Sequence, residues 1–252
     1  MAFKLRVEAG RMGWLRNVIL LFAPFWLSGC ADAVALPAAC KAAGTGEEPN
    51  VEVYFGCGCF WHMQHEFVAE EMTTLCRTDG NLTARAAYAG GTKLGEDGLV
   101  CYHNMQGKAD YGQLGHAEVV VMKVPTSKFE DFAARFWRAC PEGTRRDVQD
   151  RGGEYRSVIG LPGGMNSALL AQVQAKAGST KLVAGRGDDG DTLFADEVLV
   201  YDTAKFPAHV AEKYHQFHDD MLDKYGSDYH ALRRFAQATA CPGDRMALPL
   251  IS

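Results

Sequence analysis

Phe55-Gly56-Cys57-Gly58-Cys59-Phe60-Trp61 is the stretch around which the chain is organised. It follows a β-type run, Val51-Glu52-Val53-Tyr54, and precedes a segment of helical character, Phe60 to Met72. Cys59 is therefore predicted at a strand-to-helix turn, at or just before the first helical residue. The first N–H groups of a helix have no intrahelical partner, and the helix dipole places partial positive charge there. Both favour a thiolate, so the position predicts a lowered pKa and a reactive sulfur at Cys59. Gly56 and Gly58 permit a tight turn and a close approach by substrate, and Phe60 and Trp61 supply an apolar wall. The rival reading is a buried structural cysteine beside two core aromatics. The glycine frame and the turn position favour the nucleophile.

Outward from that turn, Phe60, Met63, Phe67 and Val68 recur at helical spacing. Leu82 to Ala89 reads as a second strand that Gly90-Gly91 ends. Residues 92–115 form a loop containing Gly95, Gly98, Gly107, Gly112 and Gly115, and a loop that long inside a domain is usually functional. His116 to Val124 is a third strand. Ser127-x-x-Glu130 reads as a capping box opening a helix to about Ala139, with Pro141 helping to stop it. Tyr155 to Leu161 is a fourth strand. The order is βαββαβ, which predicts an α+β fold with a two-layer ferredoxin-like core. Additional C-terminal elements are expected: a helix at 166–177, strands at 181–184 and 192–202, and a helix at 207–225 with Pro207 near its first turn.

The 252 residues are 47% hydrophobic and 23% charged, which suits one globular domain with extensions. Net charge is −5 and no basic stripe stands out, so no nucleic-acid partner is expected. Eight cysteines are too dilute for a small disulfide scaffold but permit one or two bridges. Lys4, Arg6, Arg11 and Arg16 precede an apolar run from Val18 to Leu27, the pattern of a signal peptide. That run is short for a membrane span, and Pro24 interrupts it. Leu27-Ser28-Gly29-Cys30 resembles a lipobox, in which Cys30 would be lipidated, so the chain is expected to be exported or membrane-anchored. Cleavage nearer Ala33 or Ala35 is an alternative, and so is an organellar presequence, because Glu8 is the one acid in residues 1–31. The expected division is a signal or anchor segment at 1–30, a linker at 31–49, a catalytic domain at 50–225 and a tail at 226–252 containing Cys241.

Further residues carry chemistry. Glu118 enters an apolar strand (Val119, Val120, Val121); facing the core, its carboxyl would be desolvated and could act as an acid. The rival is a solvated strand-end glutamate. Tyr155 is placed at a strand end, either aimed at the same point or packed in the core with its hydroxyl at the rim. His116 and His215 are candidate bases or satisfied structural histidines.

On these motifs the chain resembles the methionine sulfoxide reductases of the A class. Gly58-Cys59-Phe60-Trp61 matches the family's nucleophile motif, Gly115-His116-Ala117-Glu118 and Tyr155-Arg156-Ser157 match two others, and Asp150 lies five residues before that tyrosine. Ala211 to His218 matches a fourth, with His218 in place of a tyrosine, and Tyr88 to Gly91 also fits. The resemblance covers about residues 51–225. It implies thiol-dependent reduction of methionine-S-sulfoxide in proteins, with the free amino acid left open as a second substrate, for protein repair under oxidative stress. Cys59 would attack the sulfoxide sulfur, Glu118 would protonate its oxygen, and Tyr155 with a second tyrosine would hydrogen-bond that oxygen. Phe60 and Trp61 would hold the methyl group, and Asp150 and His215 would help to bind substrate. Cys59 sulfenic acid would then pass to an intramolecular disulfide, reset by an external thioredoxin-like thiol reductant. No bound cofactor and no metal are implied, and a monomer is expected.

The second tyrosine is Tyr102 or Tyr111, with Tyr102 favoured because it allows an insertion between 104 and 112. The family's usual tail is missing. Cys241 is the first choice as resolving cysteine, followed by Cys57, through a tight disulfide with Cys59, and Cys101; Cys76 and Cys140 read as structural. Rival functions are a metal site built on Cys57-x-Cys59-x-x-His62-x-x-His65, a cysteine hydrolase using His116 or His215, and a binding module for oxidised methionine.

Overall fold

In the computed structural model, which describes residues 48–218 and 225–245, β1 (Asn50–Gly56) leads directly into α1 (Phe60–Thr74). There follow β2 (Arg85–Ala89), β3 (Ala117–Pro125), α2 (Phe129–Ala139), β4 (Val158–Leu161), α3 (Leu170–Gln174), β5 (Lys181–Ala184), β6 (Glu197–Asp202) and β7 (His209–Val210). The predicted βαββαβ order is present in an α+β fold. One sheet runs β5-β6-β4-β1-β3-β2-β7. β1 lies at its centre, antiparallel to β3 and β4, while β6 adds parallel to β4 and β5 parallel to β6.

Alternation along the strands separates the two faces. Val53, Phe55, Val120, Met122 and Ile159 face α1 and α2, where they meet Phe60, Met63, Phe67, Phe132 and Phe136. Phe55 stacks on Phe67 at 4.9 Å and on Phe136 at 5.4 Å between ring centroids. Each such side chain contributes about 2 kcal/mol by leaving water. Tyr54, Val119, Val121, Val158 and Tyr201 pack on the opposite face, with Phe206 against them. Gly160 makes room there, since a Cβ would lie 2.3 Å from the Tyr54 ring.

Several local expectations are corrected. The capping box does not form: the N-cap of α2 is Lys128, and a 3-10 turn, Thr126–Lys128, precedes the helix. Glu48 takes the donors instead, accepting from the Ser127 N–H at 2.8 Å, the Thr126 hydroxyl at 2.7 Å and the Ser127 hydroxyl. Glu130 pairs with Lys176. The helix expected at 207–225 is absent over residues 207–218. His209–Val210 pairs with β2, and Lys213–His215 forms a 3-10 turn. Gln216 turns inward: its amide donates to the Ala86 and Ala211 carbonyls and accepts from the Ala86 N–H. Satisfying that buried strand edge outweighs helix formation. Residues 219–224 of this segment, residues 1–47 with the anchor and most of the linker, and the tail beyond 245 lie outside the described residues.

The turn between α1 and β2 is held by one carboxylate. Glu71 is fully buried and accepts from Arg77 at 2.7 Å, from the Thr83 N–H at 2.8 Å, from the Ala84 N–H at 3.0 Å and from the Thr83 hydroxyl. Glu71→Ala strands these donors and is expected to cost about 3 kcal/mol in denaturant unfolding, with Glu71→Gln costing less. An unchanged midpoint would show that the turn does not depend on it.

Candidate active site

β1 ends at Gly56, and the chain turns through Gly58 with φ of +70°. The left-handed conformation favours glycine, and a Cβ there would lie 2.8 Å from Asp150 Oδ2. The Gly58 N–H donates to the Tyr155 carbonyl at 3.1 Å. Cys59 is the N-cap of α1. Its N–H donates to Asp150 Oδ2 at 2.9 Å, and the Phe60 N–H donates to Glu118 Oε2 at 2.8 Å. A cavity of about 300 Å³ opens beside the sulfur, and its walls include Cys59, Phe60, Trp61, Tyr102, Glu118, Asp150 and Tyr155.

Cys59 is the one free cysteine among the described residues. Its thiol is pushed up, first by burial and then by the Glu118 and Asp150 carboxylates, while the Trp61 and His62 N–H groups pull the other way. The lowered pKa expected from the helix start is thus corrected. Two N–H groups at that start are already engaged by carboxyl groups, and burial outweighs what remains.

Glu118 is 2% exposed, and burial raises its pKa to about 8, with Asp150 and Glu154 adding to the rise. The Phe60 N–H offsets part of it. The carboxyl therefore carries its proton at neutral pH and can act as an acid.

Tyr155 sits on a 3-10 turn, Gly153–Tyr155, three residues before β4 rather than at the strand end. Tyr102 is held through its N–H by Glu212 Oε1 at 2.8 Å. Burial and Glu118 push its phenol up to about 12, so it stays a neutral donor. Tyr111 is fully buried behind the cavity, where its hydroxyl lies 3.3 Å from Glu118 Oε1.

The indole Nε1 of Trp61 donates to His215 Nδ1 at 3.3 Å, and its ring stacks on His218 with centroids 3.7 Å apart. Burial lowers the pKa of His215 to about 4, which keeps it neutral and able to accept that bond. His116 is bound to the Lys93 carbonyl at 2.8 Å and accepts from the Gly91 N–H at 3.3 Å; burial lowers its pKa to about 4 as well. Both histidines are committed elsewhere, so the base that a cysteine hydrolase needs is not placed on Cys59.

Arg156, 1% exposed, donates to Tyr201 Oη at 3.0 Å and to the carbonyls of Gly153 at 2.7 Å, Gly90 at 3.0 Å and Gly115 at 2.9 Å. It ties the Tyr155 turn to the end of β2 and to the residues leading into β3.

The resolving candidates are bonded to other cysteines. Cys57 pairs with Cys140, not with Cys59, and Cys101 pairs with Cys241; Cys76 is disulfide-bonded too. Cys57 and Cys59 therefore do not close a bridge in this state, and Cys57 is unavailable to the metal reading. His103, Asp110 and Glu154 lie close enough to share a cation, but both imidazole nitrogens already contact the carboxylates. Sequence reasoning missed His103 and Glu154. Their contacts form across the folded loop and leave no periodic signal. The neighbouring Tyr155-Arg156-Ser157 motif was the nearest pointer.

A free thiol, a protonated carboxyl and two phenols thus surround one small cavity. No protein-family model matches the chain. It is 32% identical over 117 residues to the peptide methionine sulfoxide reductase MsrA of Geobacter metallireducens, a match covering 45% of this chain and 62% of that one. It is 33% identical over 118 residues to the same-named protein of Geobacter sulfurreducens, covering 45% and 63%. The matches thus span somewhat less than two thirds of those relatives' length. Among solved structures, methionine sulfoxide reductase A of Corynebacterium diphtheriae aligns with a TM-score of 0.41 and 18% identity, over 68% of this chain and 74% of that one.

The carboxyl beside Cys59 should control its alkylation. At pH 9, where Glu118 is ionised, Glu118→Gln is expected to speed iodoacetamide labelling of Cys59 by about tenfold, since losing a nearby negative charge lowers a thiol pKa by about one unit. Equal rates in both proteins would mean that the thiol does not feel that charge.

Proposed function

We propose that the chain reduces methionine-S-sulfoxide in oxidised proteins and peptides. One observation carries the reading: the free Cys59 thiol shares one cavity with a carboxyl that stays protonated to about pH 8. A sulfoxide has an electrophilic sulfur, a basic oxygen and a methyl group. Cys59 attacks the sulfur, Glu118 gives its proton to the oxygen, and the thiol proton passes to the Glu118 carboxylate so formed. Tyr102 and Tyr155 stabilise that oxygen by hydrogen bonding. Phe60 and Trp61 face the methyl group. The S–O bond is broken, methionine departs, and the oxygen remains on Cys59 as a sulfenic acid, so the substrate gains two electrons and Cys59 loses them.

A thiol then displaces water from the sulfenic acid, and a second thiol resolves the resulting disulfide. Cys241 with Cys101 is the favoured internal pair, because Cys101 precedes Tyr102 in the cavity wall. A state with Cys59 free and that pair oxidised is what remains after the second exchange. A thioredoxin-like donor outside the chain supplies the electrons, and no bound cofactor takes part. Export or anchoring through residues 1–30 is part of the proposal. The disulfides among the described residues favour an oxidising compartment.

The test is turnover of a methionine-S-sulfoxide peptide with dithiothreitol or thioredoxin. Cys59→Ser should abolish both reactions, and Cys241→Ser should remove the thioredoxin-driven one alone. Failure of the wild type with both reductants would end the reading. The rate of the first turnover should also fall as pH rises through about 8, because Glu118 must enter the reaction carrying its proton. A rate that climbs steadily to pH 10 would remove Glu118 as the acid.

A further inference from the structure

Behind the cavity, a line of side chains runs from the buried acid to the surface. The Tyr111 hydroxyl lies 3.3 Å from Glu118 Oε1 and 3.2 Å from Glu154 Oε2. His103 Nε2 lies 3.2 Å from the same Glu154 oxygen, and His103 Nδ1 lies 2.8 Å from Asp110 Oδ2. Asp110 is fixed in turn by the Gln113 N–H at 3.1 Å. Glu118 and Tyr111 are buried, whereas the His103 side chain at the outer end is 45% exposed. The backbone is shaped for it: a Cβ on Gly112 would lie 1.7 Å from Glu154 Oε1.

Counting hydrogens fixes the direction of the bonds. A neutral imidazole carries one N–H, and His103 faces a carboxylate at each nitrogen, so both bonds require the imidazolium. The imidazolium donates its Nε2–H to Glu154 Oε2. A phenol has one hydrogen, and Tyr111 faces two carboxyl oxygens. When Glu154 takes that hydrogen, a Tyr111 lone pair is left toward Glu118. Only a protonated Glu118 can complete the remaining bond.

We propose that Glu154 is a positioning residue that, by taking the hydrogen of Tyr111, keeps the proton on Glu118, and that His103 fixes Glu154 in place and tempers its charge. Asp110 holds the imidazolium in place. Cys59 and Asp150 at the start of α1, Tyr88 on β2, and Tyr102 and Tyr155 at the cavity are the other titratable groups around Glu118. None of them needs the hydrogen of Tyr111 in this arrangement. The catalytic meaning of the line rests on the reductase reading, whereas the coupling itself does not.

The experiment titrates Glu118 directly in the full chain. The infrared band of its protonated carboxyl is assigned by its loss in Glu118→Gln and followed against pH in wild type, Glu154→Gln, His103→Gln and the double variant. In Glu154→Gln the amide can donate to Tyr111, which frees the phenol hydrogen for ionised Glu118, and the midpoint should fall by about one pH unit. His103→Gln removes a cation and should raise the midpoint by about half a unit. That rise should vanish in the Glu154→Gln background, because His103 reaches Glu118 through Glu154. Glu154→Asp, which keeps the charge, should restore most of the wild-type value. Unmoved midpoints, or a His103 effect of equal size in both backgrounds, would overturn the proposal. Methionine formed in a single turnover without reductant is measured alongside, and the alkaline fall in its rate should move with the infrared midpoint. Shifted midpoints with no methionine formed by wild type would sink the reductase reading and leave the coupling standing.

Discussion

At the start of α1, the N–H groups of Cys59 and Phe60 are held by the carboxyl groups of Asp150 and Glu118. A helix start presents N–H groups without intrahelical partners, and burying them unpaired would cost a few kcal/mol. Here the partners arrive from positions 91 and 58 residues further along the chain. One pair of bonds therefore settles the start of α1, the loop before β4 and the start of β3. The nucleophilic sulfur and the acid are brought together as a by-product of capping.

Other buried polar groups extend that constraint. Arg156 gathers three backbone carbonyls and a phenol, so the turn bearing Tyr155 cannot drift from the glycines that flank β2 and β3. Glu212 joins Tyr88 on β2 to the N–H of Tyr102, and Gln216 joins β2 to α1 through Gln64. The segment 211–216 thus acts as a polar strap along the sheet edge. The Cys101–Cys241 bridge fastens the loop that carries Tyr102 from its other side. The cavity is built mostly from irregular segments, and buried hydrogen bonds hold them in register.

The sequence spoke clearly where the signal was local. The β-type run Val51–Tyr54, the apolar run from Val119, and the helical spacing from Phe60 to Val68 placed the βαββαβ order and set Cys59 at the strand-to-helix turn. Where remote groups decide the outcome, local reading failed. Ser127-x-x-Glu130 has the form of a capping box, yet Glu48 arrives from 79 residues away and takes the donors of Ser127. The stretch after Pro207 has helical composition, but Gln216 and Glu212 are drawn inward by an unpaired strand edge. The state of Cys59 was misread for the same reason: its position at the helix start was visible, while its burial and the carboxyls that occupy its neighbouring N–H groups were not. Tyr111, Glu154 and His103 meet through a loop whose shape depends on Gly112, on the Cys101–Asp110 bridge and on a disulfide to the tail.

The stacking of Trp61 gives the molecule an optical signature. Its indole forms part of the cavity wall while lying 3.7 Å from the His218 ring and donating to His215. An imidazole in contact with an indole quenches its emission, and does so more strongly when protonated. Whatever enters the cavity must touch the other side of the same ring. Trp61 is thereby a built-in fluorophore whose brightness registers, without any added label, both the filling of the site and the charge on the histidines behind it.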